Sequence, residues 1–178
     1  VRVRGEFPNQ EDDVFIPLSI IEQCGSKLYE LDDGKGMPYI IFGVDVARFG
    51  DDETIIYRNV KGNLKIVKNR RGQDLMRTVG DIVVQYKKVI KEFPDYKGRI
   101  YVNIDDTGLG GGVTDRLREV KREQKLNRLY VIPINAAEKI ETDSKEGRDA
   151  AEHYNNLTTH MWAVLKELLE NKEIEIEN

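Results

Sequence analysis

Two aspartates carry the chemistry in this chain, each at the end of a short apolar run. Asp45 closes Tyr39-Ile40-Ile41-Phe42-Gly43-Val44, and Asp105 closes Ile100-Tyr101-Val102-Asn103-Ile104. Both runs read as buried strands. Glycines follow each one, in Ala47-Arg48-Phe49-Gly50 and in Thr107-Gly108-Leu109-Gly110-Gly111-Gly112, so an open polar loop can lie beside each carboxylate. A lone buried charge costs on the order of several kcal/mol. Two carboxylates at neighbouring strand ends also repel, and a shared cation relieves both costs. Mg2+ and Mn2+ take oxygen ligands and bridge to phosphate, which points to phosphodiester chemistry.

The surrounding pattern supplies the elements that must position this pair. Pro17-Leu18-Ser19 caps a short helix running to Cys24, and Asp32-Asp33-Gly34-Lys35-Gly36 is a turn. Thr54-Ile55-Ile56-Tyr57-Arg58 and Leu64-Lys65-Ile66-Val67-Lys68 alternate across Val60-Lys61-Gly62-Asn63, a hairpin signal. From Asp74 to Phe93 the apolar residues Leu75, Val79, Ile82, Val83, Tyr86, Val89 and Ile90 share one helical face. Val113 to Gln124 forms a second helix with Val113, Leu117 and Val120 inward. Leu129 to Ile134 is a fifth strand. A long helix runs from about Arg148 to Glu170, with Tyr154, Leu157, Met161, Val164, Leu165 and Leu168 on its core face and Trp162 in the core. Lys172 to Glu177 alternates as a last strand. Three antiparallel strands followed by crossovers make a mixed α/β sheet with helices on both faces. The first and fourth strands become parallel neighbours, with Asp45 beside Asp105. That is the ribonuclease H-like arrangement.

Composition sets the bounds. A chain of 178 residues fits one domain with a proper core. Its apolar stretches are far too short to span a bilayer, and no signal peptide is visible. The missing start methionine makes it read as a piece of something longer. Cys24 is the only cysteine, which excludes an internal disulfide or a cysteine zinc site and fits a reducing compartment. A net charge of −4 is not the footprint of a strong DNA binder. Lys61, Lys65, Lys68, Arg70 and Arg71 nevertheless crowd one segment, and Arg116, Arg118, Lys121, Arg122, Lys125 and Arg128 another. Taken singly these are solvated surface. As two basic flanks around an acidic centre they could hold a phosphate backbone, and the Lys61–Arg71 cluster is the candidate DNA-binding surface.

The local residues are more specific. Gly43-Val44-Asp45-Val46-Ala47-Arg48-Phe49-Gly50-Asp51-Asp52-Glu53-Thr54 resembles the first nuclease motif of tailed-bacteriophage terminase large subunits. Ile104-Asp105-Asp106-Thr107-Gly108-Leu109-Gly110-Gly111-Gly112-Val113-Thr114-Asp115-Arg116-Leu117 resembles their second. Val3-Arg4-Gly5-Glu6-Phe7-Pro8 is similar to the segment joining their ATPase domain to the nuclease, and Tyr154-Asn155-Asn156 with Trp162 is similar as well. The resemblance spans essentially the whole chain. Proteins of that family package DNA into an empty capsid with an N-terminal ATPase motor and cut the concatemer with a C-terminal ribonuclease H-like domain.

The resemblance implies a linker over residues 1–36, following an ATPase domain that this chain lacks, and a nuclease domain over 37–178. It implies C-terminal incompleteness, because the family's third metal carboxylate lies on a later helix with no counterpart before Asn178. It implies a metal-dependent endonuclease acting on phage DNA in the host-cell cytoplasm through two Mg2+ or Mn2+ ions, with Asp45 bridging both and Asp105 holding one. The implied partners are double-stranded DNA, the portal protein, the small terminase subunit and the ATPase domain of the same polypeptide, with no membrane. The alternative is a catalytically weak module that docks on DNA or portal. An actin-like ATPase would need a duplicated domain for which the chain has no room.

Other residues carry less. Asp52 matches an acidic position of the first motif; it either helps hold metal or caps the turn before the second strand. Asp105 and Asp106 point to opposite faces if both lie in the strand, and the motif selects Asp105, leaving Asp106 a loop or capping role. Gly108 to Gly112 could cradle a phosphate or make a tight turn into a helix; it misses the dinucleotide fingerprint, since Val113 stands where the third glycine belongs, and Asp115 supports the first turn of that helix. His153 and His160 make a weak metal signal and read as surface or packing residues.

Overall fold

The apolar runs become the centre of a six-stranded mixed sheet in the computed structural model, which describes residues 14–24, 39–47, 52–72, 74–107 and 110–177. The strands are β1 (Ile40–Asp45), β2 (Glu53–Val60), β3 (Asn63–Arg71), β4 (Ile100–Asp105), β5 (Leu129–Ile134) and β6 (Glu175–Glu177). Their order across the sheet is β5-β4-β1-β2-β3-β6. The pairs β1–β2 and β2–β3 are antiparallel, while β1–β4, β4–β5 and β3–β6 are parallel. This is the expected ribonuclease H-like α/β sheet. The β2–β3 hairpin turns on Lys61 and Gly62, at φ of 51° and 92°. Two successive left-handed residues match the twist of the flanking strands, and glycine adopts the second at no steric cost.

Residues alternate in β1 and β4 with the same phase. Ile40, Phe42 and Val44 are buried beside Ile100, Val102 and Ile104. They pack under α2 (Leu75–Glu92), which contributes Val79, Ile82, Val83, Tyr86 and Val89, and under α3 (Gly110–Glu123), which contributes Val113, Leu117 and Val120. Each such side chain contributes roughly 1.5–3 kcal/mol on burial. Asp74 starts α2 by accepting the Arg77 amide at 2.8 Å. On the other face, α1 (Leu18–Cys24) and α5 (Leu157–Glu170) meet the register pair Leu64 and Ile176 of β3 and β6. Cys24, Leu169 and Ile174 form a second small core there.

The C-terminal helix departs from expectation. The periodicity predicts one helix from Arg148 to Glu170, whereas the structure has α4 (Lys145–His153) and α5, broken at Tyr154-Asn155-Asn156. Asn156 adopts extended backbone, and its side chain accepts the Thr159 amide at 2.8 Å. Ser144 caps α4 in the same way, taking the Gly147 amide at 2.9 Å. These side-chain caps satisfy the amides that a continuous helix would have bonded internally. The break also resets the buried face of α5. Leu165, Leu168 and Leu169 pack inward, while Trp162 stays 53% exposed and Met161 47%, so neither reaches the core. No described helix is long and apolar enough to cross a membrane. The sequence features Val3–Pro8 and Asp32–Gly36 lie outside the described residues.

Candidate metal centre at the ends of β1 and β4

The parallel register of β1 and β4 aligns Val44 with Ile104. One residue further, Asp45 and Asp105 leave the sheet at the same level, on strands about 4.8 Å apart. Val44 and Ile104 point into the core, so the aspartates project to the face opposite α2 and α3. Both are exposed. Asp45 is accessible at the surface, yet the surrounding protein removes part of its hydration. That partial burial, together with the negative charges of Asp105 and Asp52, holds its carboxyl above the ordinary aspartate range. Three sequence-selected acids therefore share one electrostatic field.

Asp105 is oriented by its own loop: Oδ1 accepts the Thr107 amide at 2.9 Å, leaving the second oxygen for other partners. Asp106 turns elsewhere. Its Oδ1 accepts the Thr114 hydroxyl at 3.1 Å, and its amide donates to the Ile134 carbonyl at 2.9 Å. It therefore ties β4 to α3 and β5. Gly110 opens α3 against the same strand end. A Cβ there would lie 1.8 Å from the Asp105 carbonyl oxygen, so only glycine permits this approach.

The chain leaves β1 at Ala47 and returns at Asp52. Buried Thr54 closes that excursion. Its hydroxyl accepts the Ala47 amide at 3.0 Å and donates to the Ala47 carbonyl at 2.8 Å. Beside it, Glu53 accepts from Asn69 and Arg71, each at 2.7 Å. Those hydrogen bonds hold the Glu53 carboxyl below its usual range. Sequence reasoning did not single out Thr54 or Gly110. The available signals were a hydroxyl inside an apolar strand and a glycine immediately before a helical pattern.

Most cations of the expected DNA surface have partners inside the fold. Lys68 and Arg70 both face Asp81, at 3.5 and 3.9 Å. Arg71 pairs with Glu53 at 2.7 Å, and Lys65 pairs with Glu177. Lys61 sits in the hairpin turn. On α3, Arg116 binds Glu119 and Glu123 at 2.8 and 3.1 Å, and Arg118 faces Asp115 at 3.8 Å. His153 and His160 pack against Tyr154, with ring centroids at 6.5 and 5.2 Å. A cavity of about 610 Å³ lies between α1 and α5, lined by apolar residues such as Phe15, Ile21, Trp162 and Leu165. It contains no carboxylate, and the charged chemistry lies at the strand ends instead.

Among the described residues, no group of three His, Cys, Asp or Glu side chains is placed to hold a metal ion. The Asp45–Asp105 pair still fits a divalent cation by charge. The charge of Asp105 adds to the cost of ionising Asp45, and oxygen donors suit hard cations.

The strand order and pairing define a ribonuclease H-like α/β fold, with two carboxylates at the ends of its central parallel strands. Solved structures agree on the fold. The nuclease domain of the large terminase subunit of bacterial virus Sf6 superimposes with a TM-score of 0.66 at 11% identity, covering 92% of this chain and 74% of that one. A variant of that domain solved with manganese and beta-thujaplicinol, and one with calcium, give the same values. The large terminase nuclease of thermophilic phage G20c, with bound cobalt, is more distant, with a TM-score of 0.46 at 14% identity over 90% of this chain and 72% of that one. No family model and no curated protein matches the sequence. The chain has the fold of a large-terminase nuclease domain.

Proposed function

We propose that this chain is a metal-dependent DNA endonuclease domain of a viral packaging terminase. The observation that carries the reading is the β1–β4 register, which sets Asp45 and Asp105 side by side on one face of a sheet with the terminase-nuclease fold. Asp45 and Asp105 would hold Mg2+ or Mn2+, with Asp52 adding negative charge. When bound, such a cation lowers the pKa of an attacking water and neutralises charge on the departing oxygen. The chain's own contribution is positional: the Thr107 amide fixes one Asp105 oxygen, Gly110 seats α3 behind it, and Thr54 of β2 holds Ala47, two residues past Asp45.

Duplex DNA is the substrate in this reading. The portal, the small terminase subunit and an ATPase domain are its packaging partners, in a host-cell cytoplasm. The test is plasmid nicking in Mn2+ and in EDTA, for the wild type and for Asp45→Ala and Asp105→Asn. Nicking that survives either substitution would remove these residues from the site. One observation favours a second reading, a weakly catalytic module that docks on DNA or portal: no three-ligand group is found among the described residues. DNA binding without Mn2+-dependent nicking would select it.

A further inference from the structure

The ion-pair pattern leaves some basic side chains without carboxylate partners among the described residues. Lys65, Lys68, Arg70, Arg71, Arg116, Arg118 and Lys166 all face acids. Arg99 and Lys121 instead lie over the ring of Tyr130, at 4.7 and 4.8 Å from its centroid, and neither pairs with an acid among the described residues. Tyr130 in turn meets Tyr101, with ring centroids 5.8 Å apart. Close by, Arg128 lies over Tyr96 at 5.2 Å and leaves Nη2 buried without a partner. A cation held on a ring keeps its full charge and remains available to an anion. In a chain of net charge −4, this cluster gathers three cations on neighbouring rings.

Its position is set by β4. Tyr101 and Asn103 alternate with the buried Ile100, Val102 and Ile104, so they share the face of Asp105. Tyr130 is the register partner of Tyr101. Four residues separate Tyr101 from Asp105, roughly 13 Å of strand, and the charges of Arg99 and Lys121 gather over Tyr130 at the level of Tyr101. At about 3.4 Å per base pair, that span is roughly four base pairs.

We propose that Arg99 and Lys121, gathered around Tyr130, bind the phosphate backbone of duplex DNA about four base pairs from the bond placed at Asp45 and Asp105. This rests on the endonuclease reading and adds to it where the duplex is held. Backbone contacts of this kind position DNA without reading its sequence.

The test measures affinity for a duplex of about 30 base pairs in EDTA, by fluorescence anisotropy over a salt series. Three forms of the 178-residue chain are compared: wild type, Arg99→Ala/Lys121→Ala, and a matched Arg58→Ala/Lys166→Ala pair that removes two ion-paired charges. Loss of two phosphate contacts should flatten the slope of log K against log salt by about 1.8, with affinity falling at least about tenfold at low salt. The matched pair should retain the wild-type slope. Circular dichroism melting checks that each variant is folded. Wild-type slope and affinity in Arg99→Ala/Lys121→Ala would overturn the proposal. So would an equal loss in the matched pair, or a wild type that binds no duplex. Plasmid nicking by the wild type in Mn2+ separates this from the parent reading. A chain that nicks while Arg99→Ala/Lys121→Ala binds normally would lose only this inference.

Discussion

Thr54 and Ala47 are joined by both polar groups of the Ala47 backbone, which donates to and accepts from one buried hydroxyl. This clasp lies two residues beyond Asp45 and two beyond Asp52. Thr54→Val keeps the shape and removes both bonds, leaving the part-buried Ala47 amide and carbonyl without this partner. It should cost about 1–3 kcal/mol of stability. It should also lower Mn2+-dependent nicking by more than that loss explains at temperatures where the variant is folded. Thr54→Ser should restore both. A valine variant with wild-type activity would show that the clasp does not position the carboxylates.

The Asp45 carboxyl gives a pH signature in the metal-free protein. Its folded pKa is raised by partial burial and by Asp105 and Asp52, above an unfolded value of about 3.9. The folded state therefore holds the proton more tightly. The stabilisation is complete below the unfolded pKa and is lost as pH rises through the folded one. In EDTA, wild-type stability should fall across that window relative to Asp45→Asn, and the variant should melt higher above it. Urea midpoints between about pH 3.5 and 7 test this. A wild type that gains stability over Asp45→Asn with rising pH would contradict it.

Gly110 makes a steric prediction. Gly110→Ala places a methyl group 1.8 Å from the Asp105 carbonyl oxygen, whereas Gly111→Ala meets only Asp106 Oδ1, at 3.5 Å. The first should cost about 1–3 kcal/mol or more through overpacking and should depress nicking by shifting Asp105. The second should be close to neutral. Thermal melting of the two variants side by side decides the matter, and equal melting temperatures would mean that α3 can back away from β4.

The β3 cations can be tested through the carboxylate they share. Asp81→Asn releases Lys68 and Arg70 at a cost below about 1 kcal/mol if the pairs behave as surface ion pairs. If β3 contributes to DNA binding, duplex affinity should rise a few-fold at low salt and its salt dependence should steepen. Unchanged anisotropy titrations would remove Lys68 and Arg70 from the DNA surface.

Much of this organisation was legible in the sequence because strand alternation and helical periodicity are local signals. Ile40, Phe42 and Val44 announce the buried face of β1, and the run from Leu75 to Val89 announces α2. The same phase reasoning places Asp45 and Asp105 on one face once β1 and β4 are neighbours. What escaped was set by side chains acting on backbone. The helix break at Asn156 depends on a cap winning over continued periodicity, since Leu157, Leu165 and Leu168 fit an unbroken helix equally well. The pairing of Lys68 and Arg70 with Asp81 joins a strand to a helix, and no sequence spacing encodes that meeting. The Thr54 clasp likewise depends on how the chain returns after β1.

Gly110 has one more consequence. Because α3 begins against the backbone of Asp105, the helix and β4 start from a common point. Further along, Lys121 of α3 reaches the ring of Tyr130, beside Tyr101. One side of this frame is roughly 13 Å of strand, and the other is about 16 Å of helix from Gly110 to Lys121. Neither can lengthen without breaking its own hydrogen bonds. The frame therefore acts as a ruler of fixed length. If DNA is gripped at its far corner, any mismatch in helical rise must be absorbed by the duplex. A single bulged nucleotide between grip and scissile bond would carry the phosphate out of reach of the carboxylates.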